Sequence, residues 1–125
     1  MKKIISTPHA PSAIGPYSQS VLAGGVLYTA GQIAIIPETG EIDISNITSE
    51  TLQVMKNLEA VLSAAEMNFS NVVKCTIFLK DMNQYAEINA VYGQYFSDKP
   101  PAREAVQVSR LPRDVNVEIS LIAVA

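Results

Sequence analysis

Apolar residues recur along this chain with two periods, and each change of period marks an element. From Val26 to Ile36 the chain is apolar and rich in β-formers. The turn pair Gly24-Gly25 precedes this run and Pro37-Glu38-Thr39-Gly40 closes it, which predicts a strand. Asn46 to Ser49 supplies capping residues, with Glu50 in the first turn beyond. Leu52, Met55, Leu58, Leu62 and Ala65 then follow at helical spacing. The pattern predicts a helix from about Ser49 to Glu66, with Asn68 as its C-terminal cap. Val72 to Lys80 returns to alternation and predicts a second strand. Asp81 can cap a second helix, in which Tyr85, Ile88, Tyr92 and Tyr95 or Phe96 form one stripe. Pro100 and Pro101 end that segment. A short strand from Arg103 to Ser109, a turn at Leu111-Pro112-Arg113-Asp114 and a last strand from Val115 to Ala125 complete the chain. With further β-structure at the front, this order predicts an α+β sandwich in one domain, residues 1–125, with helices on one sheet face.

The last strand carries information about both faces. Val115, Val117, Ile119, Leu121 and Ala123 alternate on one side and suit the helices. Asn116, Glu118 and Ser120, then Ile122 and Val124, occupy the other. Two helices cover only one face, so the second meets solvent or another subunit. Phe78, Tyr28, Ile122 and Val124 favour a subunit, with Glu118 near the polar margin of the contact.

Composition narrows the chemistry. Hydrophobic residues make up 48% of the chain and charged residues 17%, apolar enough for some surface to be shared between subunits. The net charge is −3 without a basic run, which argues against nucleic acid as the main partner. No apolar run is long enough to span a bilayer, and the polar stretch from Ser6 to His9 cuts off any signal-like segment. The expectation is a cytoplasmic protein that does not engage membranes. A single cysteine, Cys75, sits among alternating apolar residues as a core thiol, and the single histidine, His9, lies in a loop. Cys/His metal sites and a Ser-His-Asp arrangement therefore have almost nothing to draw on, and the expectation is no metal and no cofactor. Catalysis would rest on Arg, Glu, Tyr, Asn, hydroxyls, backbone groups and water.

Pro100-Pro101-Ala102-Arg103 is the sharpest local signal. Two rings stiffen the backbone just before a β-like segment, so a planar five-donor fork is held in one orientation. That suits two-point capture of a carboxylate. A helix stop followed by a solvated arginine would leave the same pattern.

Several motifs, taken in order, decide between these readings. Gly15-Pro16-Tyr17-Ser18-Gln19, Gly31-Gln32, Asn89 within Tyr85–Tyr92, Pro101-Ala102-Arg103 and Val117-Glu118-Ile119 together resemble the Rid/YjgF family of reactive-intermediate deaminases, which act on 2-iminobutanoate and 2-iminopropanoate. The likeness runs from near the N-terminus to the last strand. It implies a chorismate-mutase-like α+β fold and a homotrimer with clefts between subunits. It also implies a last strand inserted between the strands at Val26–Ile36 and Val72–Lys80. The sequence alone suggests instead a hairpin of the last two strands.

Residue by residue, the resemblance implies catalytic roles for Arg103, as carboxylate anchor, and Glu118, as the group that orients water. It implies substrate contacts from Tyr17, Ala30, Gly31, Asn89, Arg103 and Ala105. Three positions depart from the family pattern: Ala30 and Glu104 stand where serine is usual, and Ala105 where cysteine is usual. On a regular strand Glu104 should face away from Arg103. The implied reaction is hydrolysis of a 2-imino acid to a 2-keto acid and ammonia. Alternatives are a non-catalytic small-carboxylate-binding module in the same clefts, a ribonuclease or translation inhibitor, and a chorismate mutase favoured by fold alone.

Overall fold

The computed structural model describes residues 1–125. Six strands form one sheet: β1 (Lys2–Ile5), β2 (Ser20–Ala23), β3 (Val26–Thr29), β4 (Val72–Leu79), β5 (Ala102–Gln107) and β6 (Val117–Val124). Helix α1 (Ile47–Ala64) lies between β3 and β4 in sequence, and α2 (Tyr85–Gly93) between β4 and β5. The spatial order is β1-β2-β3-β6-β4-β5. β6 is antiparallel to both β3 and β4, and β4 and β5 are parallel. The family-based expectation of an inserted last strand therefore holds, and the terminal hairpin expected from sequence alone does not form. Strand β6 is apolar along one whole face and at Ile122 and Val124 on the other, which suits a central strand. β5 carries Arg103, Glu104 and Gln107, as an edge should.

One sheet face is sealed by the helices. Leu27, Ile77, Leu79, Val117, Ile119 and Ala123 have no exposed surface and pack with Val54, Leu58, Leu62 and Ile88. Burial of each of these larger side chains contributes about 1.5–3 kcal/mol, and the Ala123 methyl less. Pairing register puts Ile4, Val21, Tyr28 and Ile122 in one row on the other face. Val26 and Val124, and Phe78 with Val106, form further pairs there. Tyr28 remains 49% exposed and Val106 43%. No helix is long and apolar enough to cross a membrane.

Element ends differ from the pattern where local hydrogen bonds outweigh periodicity. Helix α1 starts two residues earlier than expected because Asn46 is its N-cap, accepting from the Ser49 N–H at 2.8 Å. It ends at Ala64 with Ala65 as its C-cap, and the left-handed residue beyond is Glu66 (φ 59°). Asn68 is not a C-cap. It opens a short 3-10 turn, Phe69–Asn71, in a reciprocal capping box with Asn71. Asp81 caps a 3-10 turn, Met82–Gln84, that runs into α2. Tyr95 and Phe96 lie beyond the helix, where both rings meet Phe69 edge-on.

The largest difference falls at Val26–Ile36, which is not one strand. β3 ends at Thr29, and only Gln32 rejoins β6, as a bridge to Ile119. Between the Tyr28–Ile122 pair and this bridge, Thr29, Ala30 and Gly31 oppose only Ser120 and Leu121. The extra residue makes a bulge. The Thr29 hydroxyl accepts from the Leu121 N–H at 3.0 Å, and the Ala30 N–H turns away to the Gln19 carbonyl at 2.9 Å.

Candidate active site

The bulge opens a cleft of about 460 Å³ lined by Tyr17, Ala30, Gly31, Arg113 and Glu118, among others. Gly31 is needed there for space. A Cβ on it would lie 2.7 Å from the Glu118 Cδ and 3.0 Å from its Cγ. The Glu118 side chain thus lies across bare backbone. No protein group donates a hydrogen bond to its carboxylate, and burial pushes its pKa above the ordinary 4.5. A carboxylate that is partly desolvated and unpaired retains basicity that a salt-bridged one would lose.

Helix α1 holds both walls of this cleft. Asn57, two turns beyond Glu50, is buried and donates to the Ile33 carbonyl at 3.0 Å and to that of Ile35 at 2.9 Å. Glu50 is 0% exposed. It accepts from the Asn116 N–H at 2.8 Å, from Asn116 Nδ2 at 2.7 Å and from the Val117 N–H at 3.3 Å. A buried carboxylate is costly without partners, and these donors fix the start of β6 just ahead of Glu118. Sequence reasoning missed both roles. The available signal was a polar residue on the helix face otherwise occupied by Val54, Leu58 and Val61.

The loop carrying Tyr17 is tied by Gln19. Its Oε1 accepts from the Thr7 N–H at 2.7 Å, and its Nε2 donates to the carbonyls of Thr7 at 3.0 Å and Pro11 at 2.7 Å. Tyr17 itself is 51% exposed at the rim. Arg113, which sequence reasoning placed in a plain turn, also lines the cleft. Arg113 (φ 58°) and Asp114 (φ 55°) are consecutive left-handed residues, each costing on the order of 1–3 kcal/mol. Asp114 is held by Lys80 at 2.9 Å, which keeps its carboxyl below the usual range.

Arg103 and Asn89 lie elsewhere, around a second depression of about 400 Å³ that also involves Tyr92, Pro100 and Pro101. Arg103 Nη1 donates to Asn89 Oδ1 at 2.6 Å, and Nη2 donates to the Tyr85 hydroxyl. Its guanidinium lies 4.9 Å from the Tyr92 ring centroid and 5.4 Å from that of Tyr85. None of the chain's ion pairs includes it. Glu104 pairs with Lys74 at 2.7 Å on the opposite face, so it leaves the Arg103 charge uncompensated. Ala105 shares Arg103's face and packs partly into the core, lining neither depression. Cys75 is buried beneath, where desolvation raises its thiol pKa and keeps it protonated.

The seven sequence-derived site residues therefore form two groups, with Tyr17, Ala30, Gly31 and Glu118 in one and Asn89 and Arg103, with Ala105 nearby, in the other. Register shows why they do not meet. Cys75 pairs with both Arg103 and Leu121, which puts Arg103 on the helix side of the sheet. Phe78 pairs with both Glu118 and Val106, which puts Glu118 on the outer side. Within one chain the sheet separates cation from carboxylate.

Residues 7–125 match the protein-family model described as Endoribonuclease L-PSP. A RutC family protein of Pyrococcus horikoshii is 52% identical over 98% of this chain and 98% of its own. The mouse protein named 2-iminobutanoate/2-iminopropanoate deaminase is 45% identical over 99% of this chain and 92% of its own. The crystal structure of Escherichia coli TdcF with bound serine superposes with a TM-score of 0.94, at 43% identity and 98% coverage of both chains. The order of strands, the motifs at Tyr17, Gly31, Arg103 and Glu118 and these likenesses converge: the chain belongs to the Rid/YjgF family.

Proposed function

We propose that this protein hydrolyses reactive 2-imino acids, of the 2-iminobutanoate or 2-iminopropanoate kind, to 2-keto acids and ammonia. The observation that carries the reading is the Glu118 carboxylate, unpaired, partly desolvated and laid across Gly31 in a cleft. An imine conjugated to a carboxylate is already electrophilic at carbon. It requires orientation, a water molecule and proton transfer. Arg103 anchors the substrate carboxylate, a charge-assisted contact of about 1.5–3 kcal/mol. Glu118 orients the water and takes its proton as the C–O bond forms. That proton passes to the imine nitrogen, giving a carbinolamine; its hydroxyl proton then moves through Glu118 to the same nitrogen, and the C–N bond breaks as the C=O bond forms, releasing ammonia. Tyr17 closes over the substrate's small side chain. General-base help of this type is typically worth about 10²–10⁴-fold.

Because Arg103 and Glu118 lie on opposite sheet faces, a site that uses both takes them from two chains. This supports a homotrimer with three intersubunit clefts, each pairing the Arg103 side of one chain with the Glu118 side of its neighbour. The outer-face row of Ile4, Val21, Tyr28 and Ile122 supplies the apolar surface for that assembly. One preparation tests both parts. An amino-acid oxidase or a pyridoxal-phosphate dehydratase generates the imine in situ, and keto-acid release should be faster with the protein than without. Light scattering should give about three times the chain mass of 13.5 kDa. No acceleration removes the deaminase reading, and a monomer removes the shared cleft.

Gly31→Ala should lower turnover by about 10²-fold, since displacing a reacting group by about an ångström costs that much. The fold should persist, because the displaced atoms belong to the flexible end of Glu118. Circular dichroism with the coupled assay checks this. Full activity would mean that the resting position of Glu118 is irrelevant.

A second reading, a small-carboxylate-binding module without turnover, has one observation in its favour. The TdcF structure holds serine, an amino acid with no imine. Keto-acid binding without acceleration of imine hydrolysis would establish it. For the nuclease description attached to the family model the chain offers little. Its single histidine, His9, lines a separate depression with Lys56 and Glu59, away from Glu118.

A further inference from the structure

Arg103 is held by more than the asparagine that the family motif supplies. Tyr85 and Asn89 stand four residues apart on α2, and so on one helix face. Each accepts from a different terminal nitrogen of the guanidinium, Asn89 from Nη1 and Tyr85 from Nη2. The guanidinium carbon lies over the Tyr92 ring, 4.9 Å from its centroid. Two acceptors on two different nitrogens, with the Tyr92 ring below, restrict rotation of the fork about Nε–Cζ. Both acceptors are neutral, so the full positive charge stays available, unlike an arginine held by Asp or Glu. The guanidinium has five N–H donors, and these contacts occupy two. The remainder can serve an incoming carboxylate.

We infer that Tyr85 is a positioning residue, whose hydroxyl fixes the Arg103 guanidinium in the orientation that receives the substrate carboxylate. The inference rests on the reading of Arg103 as the carboxylate anchor and adds a residue to it. Tyr85 would act on binding and leave the reacting carbon untouched. Ground state and transition state share the same carboxylate contact, so its loss should raise KM and leave kcat nearly constant.

Tyr85→Phe keeps the ring and removes only the oxygen, so the packing of α2 is retained. Two measurements are made on wild type and variant. The first is arginine side-chain ¹⁵N NMR of the unliganded protein. In wild type the Arg103 Nη resonances should be separate because rotation is restricted, and in Tyr85→Phe they should merge. The second is affinity for 2-ketobutyrate by calorimetry, together with imine turnover. Affinity should weaken about 5-fold, the worth of one ordinary hydrogen bond, and KM should rise to match. kcat should stay within about two-fold. A wild type that binds the keto acid, with a variant of equal affinity, overturns the inference alone. So does a variant whose kcat falls while KM holds, since that would be chemistry rather than positioning. A wild type that binds no 2-keto acid overturns the functional reading and the inference with it.

Discussion

Arg103→Lys is expected to weaken 2-keto-acid binding by about 10–100-fold, equivalent to the roughly 1.5–3 kcal/mol of a charge-assisted contact, although the charge is kept. The reason lies in shape. A guanidinium can give one N–H to Asn89 Oδ1, another to the Tyr85 hydroxyl and still present a flat pair to a carboxylate. An ammonium has three donors on one atom at the end of a flexible stem, so it cannot keep both partners and present a flat pair at the place above Tyr92 where the guanidinium sits. Turnover at low substrate should fall with affinity. Fold and assembly should survive, because Arg103 sits at the edge strand and forms no ion pair. Calorimetry with a 2-keto acid, alongside light scattering, reads both. Undiminished affinity in the lysine variant would reduce Arg103 to a structural residue that caps α2 against β5.

Much of the fold was legible because burial imposes a period. The stripe Met55, Leu58, Leu62 and the alternation Cys75, Ile77, Leu79 record which side faces the core. What periodicity cannot record is a place where the chain deliberately breaks step. Val26 to Ile36 reads as one apolar strand, yet at Ala30-Gly31 it bulges, because Glu118 on a strand remote in sequence fills the space a side chain would take. Asn68 illustrates the same limit at short range. Its side chain can serve a helix end or a helix start, and the left-handed geometry went to Glu66 instead. The position of β6 was encoded, but in composition rather than order. A strand with apolar residues on both faces, Val117 to Ala123 on one and Ile122 and Val124 on the other, belongs in the middle of a sheet, and one carrying Arg103 and Glu104 belongs at its edge.

The candidate site was legible residue by residue and not as a constellation. Motifs picked out Tyr17, Gly31, Asn89, Arg103 and Glu118. Their division between two sheet faces follows only from the register of β4 with its two neighbours. The supporting residues left fainter traces. Glu50 read only as an acid in the first turn, whereas it is buried and holds the residues just before Glu118. Tyr85 looked like one member of an apolar stripe, and its oxygen is the part in use. In both cases the polar atom of a residue packed against the core makes the contact that matters to the site's geometry, and hydrophobic patterning averages that atom away.

Glu118→Gln separates the chemistry from the architecture. It preserves size and an acceptor oxygen while removing charge and basicity, so imine hydrolysis should fall by about 10²–10⁴-fold, toward background. Binding of a 2-keto acid through Arg103 should remain. The raised pKa of Glu118 adds a second, opposite expectation. A carboxyl whose folded pKa lies above its unfolded value contributes its full stability below about pH 4.5. That contribution disappears as pH rises through the folded pKa. At neutral pH the wild-type carboxylate is therefore a partly desolvated charge without a donor, and glutamine should raise the melting temperature while lowering turnover. The wild-type rate should show its counterpart: kcat/KM should climb with pH through an apparent pKa above 4.5, and this limb should vanish in the variant. Scanning calorimetry at pH 4 and pH 7 with the coupled assay reads every part. A variant that loses folding and binding together would make Glu118 a structural residue of β6. A variant that hydrolyses imine at the wild-type rate would end its role as the base.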